Sequence, residues 1–409
     1  MTATLVLVES NTTGNGRALV RAARREGLRP VLLCARPERY AYVRKDDVPV
    51  VVTDTGSLDA LVAAVRALPG PVAGVAGTSD HYIETVAALA GRLGLPGADP
   101  QAVATCRDKG RQRRTLAAAG VAVPEGVTVT DVSLLDDARR RLGPGPVLVK
   151  PVTGSGSVGV RLCTDADELR RHAAALLGAP VNERGLAVPT GVLLQEYVAG
   201  PEFSVESVGG RVVGVVAKHL GELPYFVETG HDFPAVAEPE LIAALRSRAT
   251  AAVTALGLAD QPTHVELRVG ARGPVVIEVN PRLAGGHIPE LVLAAHGVDL
   301  IDALLATALG RSVAPRPADR AGAAAVRFLL APASGVWAGV DGVSEAAGMP
   351  GVRRVDIDRA AGSIVRHGDF RDRVGAVLTT APDPETAAAL AERALRRLTA
   401  RTMVGEAVR

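Results

Sequence analysis

Short apolar runs alternate with amphipathic helical stretches over the first hundred residues, and that alternation limits the chain to few folds. TLVLVES (4–10), PVLLCA (30–35), VPVVVTD (48–54) and VAGVAG (72–77) read as strands, with helical patterns over 18–26, 57–68 and 79–93 between them. Strands joined by helices run parallel, and a parallel sheet is covered on both faces. Gly14-Asn15-Gly16 follows the first strand but does not complete a dinucleotide fingerprint. Leu19 stands where the third glycine is required, and Cys34 and Arg36 where the second strand should end in an acidic residue. The glycines read as a tight turn into a helix.

The pattern changes after the Pro/Gly-rich GLPGADPQAV (94–103). A basic helix is expected over 107–119, then strands at VTVTD (127–131) and PVLVKPV (146–152). A glycine loop, VGVRLC (158–163) and a helix over 165–177 follow. Strands recur at VLLQEYV (192–198), EFSVESV (202–208) and RVVGVVAK (211–218). A long helix spans about 238–257, and THVELRV (263–269) with PVVIEVN (274–280) form a hairpin. APRPADRAG (314–322) reads as a linker to a small α+β tail that ends in a helix over 384–399.

Charge and composition exclude several classes. With 46 Lys+Arg against 44 Asp+Glu the net charge is +2, and aromatic residues are 3% of the chain. Nucleic-acid partners call for a concentrated basic face or stacking platforms, so none is expected. No apolar run reaches the ~18 residues of a membrane span, and the N-terminus lacks signal-peptide features, so no membrane partner is expected. Cys34, Cys106 and Cys163 show no metal spacing and suggest a reducing, cytoplasmic setting. Lysine occurs only at positions 45, 109, 150 and 218 in an arginine-rich chain. Against that bias a lysine marks a place where a compact ammonium is wanted; Lys45, in a polar RKDD stretch, reads as surface.

Three constellations carry chemistry. Lys150 ends a strand and precedes Thr153-Gly154-Ser155-Gly156-Ser157-Val158-Gly159, a loop able to wrap phosphates with N–H groups and hydroxyls. It is not a Walker A loop, since no G-K-[ST] closes it; an ordinary Gly/Ser hairpin is the competing reading. Gln195-Glu196-Tyr197-Val198 leads into Ala199-Gly200-Pro201-Glu202, where strand-exit backbone can meet an adenine edge and Glu202 a ribose. Glu278 and Asn280 share one strand face. Glu266 joins them only if it pairs with position 278, which calls for an odd loop such as 270–274; an even loop sets it beside Ile277. Two carboxylates and an amide oxygen suit Mg²⁺ holding phosphate oxygens, and Arg282 can reach those phosphates with its fork. The competing reading is a salt-bridged sheet surface, with Arg268 beside Glu266.

In this order, Lys109, Lys150, the glycine loop, Glu196-Tyr197, Glu202, Glu266, Glu278, Asn280 and Arg282 resemble the ATP-grasp superfamily over about residues 1–310. Lys218-His219, the stretch Phe226–His231 and Asn280–Gly286 look like the L-amino-acid ligases, and the tail from about 320 looks like their C-terminal domain. The resemblance implies a mixed α/β and α+β fold in four parts. These are an N-terminal parallel α/β domain (1–105), the first half of the ATP-grasp core with its glycine-loop lid (106–190), the catalytic half (191–313) and a small C-terminal α+β domain (314–409).

The resemblance also implies roles. Lys109 and Lys150 contact ATP phosphates, and Lys150 also the adenine side. Ser155, Gly156, Ser157 and Gly159 belong to the lid. Glu196, Tyr197 and Val198 flank adenine and Glu202 holds ribose. Glu266, Glu278 and Asn280 bind two Mg²⁺, for which Mn²⁺ can substitute. Arg282 stabilises an acyl phosphate, Glu228 and His231 line the amino-acid pocket, and Lys218 lies near nucleotide or substrate. The implied reaction joins a carboxylate to the amine of an amino acid through an acyl phosphate, with small-molecule substrates and a monomeric or homodimeric enzyme. Glu228, His231 or substrate phosphate can take the amine's proton, with His231 read as a pocket wall or hydrogen-bond donor rather than an obligatory base. A carboxylase-like or nucleotide-precursor ATP-grasp enzyme, and a non-catalytic ATP-binding subunit, are the alternatives.

Overall fold

The computed structural model describes residues 2–11, 14–313, 322–365, 368 and 370–403. All but the last residue of the expected linker, 314–322, falls outside them. The N-terminal sheet consists of β1 (Thr4–Val8), β2 (Arg29–Cys34), β3 (Val50–Val52) and β4 (Val72–Ala76), all parallel, in the order β3-β2-β1-β4. Every residue of β1 is buried, as a central parallel strand covered on both faces requires. Gly14 takes φ +106° at the turn into the helix Asn15–Arg25, a backbone conformation open to glycine without cost.

The basic helix expected over 107–119 is Lys109–Ala118, and a separate helix, Pro100–Arg107, precedes it. Asp108 separates them: its backbone is extended and its side chain accepts from the Arg111 N–H, capping the second helix. Lys109 therefore stands at a helix start, with its own N–H bonded to Val152 O.

The next sheet is antiparallel: β5 (Gly126–Val129), β6 (Val147–Pro151), β7 (Arg161–Cys163) and β8 (Val192–Glu196), in the order β5-β8-β6-β7. The glycine loop joins β6 to β7. The rest of the chain supplies β9 (Glu202–Val208), β10 (Arg211–Leu220), β11 (Glu228–Phe233), β12 (Thr263–Gly270), β13 (Gly273–Asn280), β14 (Ala323–Leu330), β15 (Gly335–Asp341), β16 (Val352–Ile357), β17 (Ile364–Val365), β18 (Arg373–Ala381) and β19 (Thr399–Met403). Eight of these form one sheet, β13-β12-β9-β10-β11-β14-β18-β16; the order β17-β15-β19 makes a small separate one.

Two features of the large sheet depart from expectation. The stretch around Glu228, read only as a substrate segment, forms β11 and pairs with β10 and β14. Through β14 and β18 the C-terminal part extends the catalytic sheet instead of standing beside it. Its buried face packs Phe233, Leu291, Val326 and Leu378 with residues of the N-terminal domain into one core. Among the described residues no single helix is long and apolar enough to cross a membrane.

Candidate active site

A cleft lies between the lid sheet and the large sheet. Lys109, Lys150 and Lys218 all line it, while Lys45 is exposed. The cleft also gathers Ser155, Gly156, Ser157, Glu196, Tyr197, Val198, Glu202, Glu228, Glu266, Glu278, Asn280 and Arg282. Gly159 and His231 do not line it.

The carboxylate pair arises differently from the expected way. The β12–β13 loop holds two residues, Ala271 and Arg272, because Gly270 pairs with Gly273. An unbroken ladder would then set Glu266 opposite Ile277. A bulge intervenes: Glu266 pairs with Glu278 and Leu267 with Val276, leaving Ile277 as the extra residue. Bulges re-aim side chains in this way, and Ile277 and Glu278 both reach the cleft. Gln112, unnoticed in the sequence, fixes this edge strand. Its amide accepts from Val279 N–H at 2.9 Å and donates to Val279 O at 2.7 Å, between Glu278 and Asn280.

Each acidic group has a cation. Lys109 Nζ donates to Glu278 at 3.0 Å and to Gly154 O at 2.8 Å, tying the lid loop to the carboxylate. Lys218 Nζ lies 2.9 Å from Glu202, 3.0 Å from Glu228 and 2.9 Å from Glu266. Burial works against the Lys218 charge, but these three carboxylates outweigh it and raise its pKa well above the ordinary value. Burial likewise opposes ionisation of Glu266, and Lys218 and His264 hold it below the usual carboxylate range. His264 sits between Glu206 at 2.8 Å and Glu266 at 3.1 Å. Despite burial, these carboxylates lift it to about 9, so it is an imidazolium at neutral pH. Lys150 makes no ion pair among the described residues; burial, with Lys109 repelling it and Glu278 only partly opposing, brings it down to about 8.

Val160, Val198 and Ile277 offer the cleft apolar walls. The Glu196 carboxylate turns away to Arg272 at 2.8 Å and to the Glu125 N–H. Arg268 does not pair with Glu266; it donates to Gly200 O and lies over the Tyr197 and Phe226 rings at 5.2 and 5.6 Å. Arg282 is held by Asp80 of the N-terminal domain. Glu228 meets Lys218, Arg373 at 3.1 Å and His231 at 3.5 Å. Burial would raise its pKa, yet Lys218, with His231 and Arg373 beside it, holds it well below the ordinary value. His231 donates from Nδ1 to Gly286 O at 2.9 Å, leaving Nε2 toward Glu228.

The lid lies over the cleft. Gly154, Gly156 and Gly159 all have positive φ, as does Ser157, whose hydroxyl donates to Phe226 O at 2.8 Å. Phe370 of the C-terminal part donates its N–H to Gly156 O and packs so closely that a Cβ on Gly156 would lie 2.5 Å from the ring.

Asp80, Gln112, Glu206, His264, Phe370 and Arg373 are absent from the sequence reading. Only His264 left a local signal, two residues before Glu266 on the same strand face.

Glu266, Glu278 and Asn280 fit a hard divalent cation. The carboxylates face each other across the hairpin, and the buried Asn280 amide makes no hydrogen bond to another described residue. No described cluster of three His, Cys, Asp or Glu side chains holds a metal alone, so ligand oxygens would complete the shell.

Three family models match the chain: an ATP-grasp N-terminal domain over 20–97, an ATP-grasp domain over 144–290 and the L-amino acid ligase C-terminal domain 2 over 327–403. The uncharacterized protein y4rH of Sinorhizobium fredii is 38% identical over 96% of this chain and 82% of its own length. Carnosine synthase 1 of Gallus gallus is 34% identical over 61% of this chain, which spans only 29% of that relative. A crystal structure of an L-amino acid ligase from Bacillus licheniformis superposes with a TM-score of 0.80 at 23% identity, covering 98% of this chain and 99% of that one. ATP-grasp enzymes in general use ATP and Mg²⁺. The chain belongs to the ATP-grasp family of ligases, in the branch that ends in the L-amino acid ligase C-terminal domain.

Proposed function

We propose that the chain joins a carboxylate to the amine of an amino acid, using ATP and passing through an acyl phosphate. The observation that carries this reading is the gathering of both signs of charge in one cleft. Lysines 109 and 150 and the lid loop line it together with Glu266, Glu278, Asn280, Arg282 and Glu228. Groups suited to phosphates thus stand beside groups suited to a zwitterion. The substrate carboxylate attacks the γ-phosphorus in line, and ADP leaves. The amine then attacks the acyl carbon, and phosphate leaves with the acyl oxygen.

The apolar wall takes adenine and Glu202 the ribose. Lys109 and Lys150 meet phosphate oxygens, and Arg282 meets the transferring phosphoryl group. Two Mg²⁺ ions held by Glu266, Glu278 and Asn280 would neutralise phosphate charge. Lys218 balances Glu266 and Lys109 balances Glu278, so these lysines would yield contacts to a metal held there. Glu228 receives the amino-acid ammonium or its proton, with His231 behind it. The lid excludes water from the acyl phosphate. The free, buried cysteines accord with a reducing, cytoplasmic setting.

The test is phosphate release from ATP and Mg²⁺ over a panel of amino acids and small carboxylic acids, singly and in pairs, with mass detection. A pair-dependent product lighter by one water than its components supports the reading. Bicarbonate-dependent turnover without an amino acid would replace it with a carboxylase.

A further inference from the structure

Asp80 follows β4 in the N-terminal domain, 202 residues from Arg282 in the chain. Its Oδ1 accepts from Arg282 Nε at 2.6 Å and its Oδ2 from Nη2 at 2.6 Å. Both side chains are largely buried, at 9% and 14% exposure. Arg107 approaches the same carboxylate at 3.6 Å, so Asp80 stays ionised between two guanidiniums.

A guanidinium has five N–H groups. Asp80 takes two from Arg282, and Leu283 O takes one from Nη1 at 2.7 Å. One N–H remains on each terminal nitrogen. That remaining pair is the fork that engages two oxygens of a phosphoryl or carboxylate group, and Arg282 lines the cleft. An arginine fixed before the reaction loses no side-chain freedom during it, and its charge needs no reorganisation.

We infer that Asp80 is a positioning residue: it aims the uncommitted fork of Arg282 at the transferring phosphoryl group, so the N-terminal domain completes the reaction centre. The inference rests on the proposed function only in taking Arg282 to meet that group. Asp80 acts through Arg282 and touches no substrate itself.

The experiment is a calorimetric cycle on the full chain with Asp80→Asn, Arg282→Lys and the double variant. Each is titrated with MgADP alone and with MgADP plus aluminium fluoride as a phosphoryl-transfer mimic. Asp80→Asn should leave MgADP affinity within about twofold and weaken the aluminium fluoride complex at least about tenfold. In the Arg282→Lys background the same change should cost less than about twofold. Equal loss for both ligands, independent losses that multiply in the double variant, or no loss would each overturn the inference. If Asp80→Asn does not fold, Asp80→Glu keeps the charge, displaces the carboxylate and should give the same selective loss. The titration needs no carboxylate or amine, so failure of the ligase reading shows separately, in the phosphate-release panel.

Discussion

Lys218 Nζ stands 2.9 Å from Glu266, and the same ammonium reaches Glu202 and Glu228. One buried cation thus links the carboxylates assigned to ribose, metal and amino acid. Removing it would leave three acidic groups facing one another away from water, where like charges cannot all remain ionised.

Lys218→Met is therefore expected to lower stability by about 3–5 kcal/mol, the usual cost of breaking a buried pair, and to abolish turnover. Chemical denaturation measures the first. A midpoint unchanged from wild type would mean that the three carboxylates are solvated.

Glu278→Gln keeps shape and removes one of the two facing charges. ATP turnover should fall by about two orders of magnitude or more while the melting temperature moves by only a few degrees. The Mg²⁺ concentration needed for half-maximal phosphate release should rise. Unchanged metal dependence would remove Glu278 from the metal site.

ATP affinity should depend on pH through Lys150. Burial brings its pKa to about 8, and phosphates bind the charged form. Affinity should be flat below that pH and weaken above it, by up to about tenfold per unit. The expected sign is proton uptake on binding near pH 8, measurable by calorimetry in buffers of different ionisation enthalpy. Lys150→Arg should flatten the profile, since a guanidinium does not titrate there.

Gly156→Val puts a branched side chain at φ +64° against Phe370. The lid should then close poorly. ATP hydrolysis without product should rise relative to product formation as water reaches the acyl phosphate. The ratio of phosphate to product reports this. A ratio held at one would mean that the lid does not exclude water.

Local pattern by itself determined a good deal. Apolar runs and helical periods are written residue by residue, so the parallel N-terminal sheet, the antiparallel lid strands and the Glu266–Asn280 hairpin were legible. So was the order of Lys109, Lys150, the glycine loop and the carboxylates. Tertiary structure decided the rest. Pairing of Glu266 with Glu278 depends on a bulge at Ile277, and a bulge is selected by packing between strands, not by turn residues. Asp108 separates the helix 100–107 from the next one, which its side chain caps. The Asp80–Arg282 clamp joins residues 202 apart, and no local period can announce such a contact. The large sheet runs on into the C-terminal part because β11, a strand with Glu228, Gly230 and Asp232 in it, pairs on both edges. Its composition is poor for a strand; only neighbours on each side satisfy its backbone and make it one.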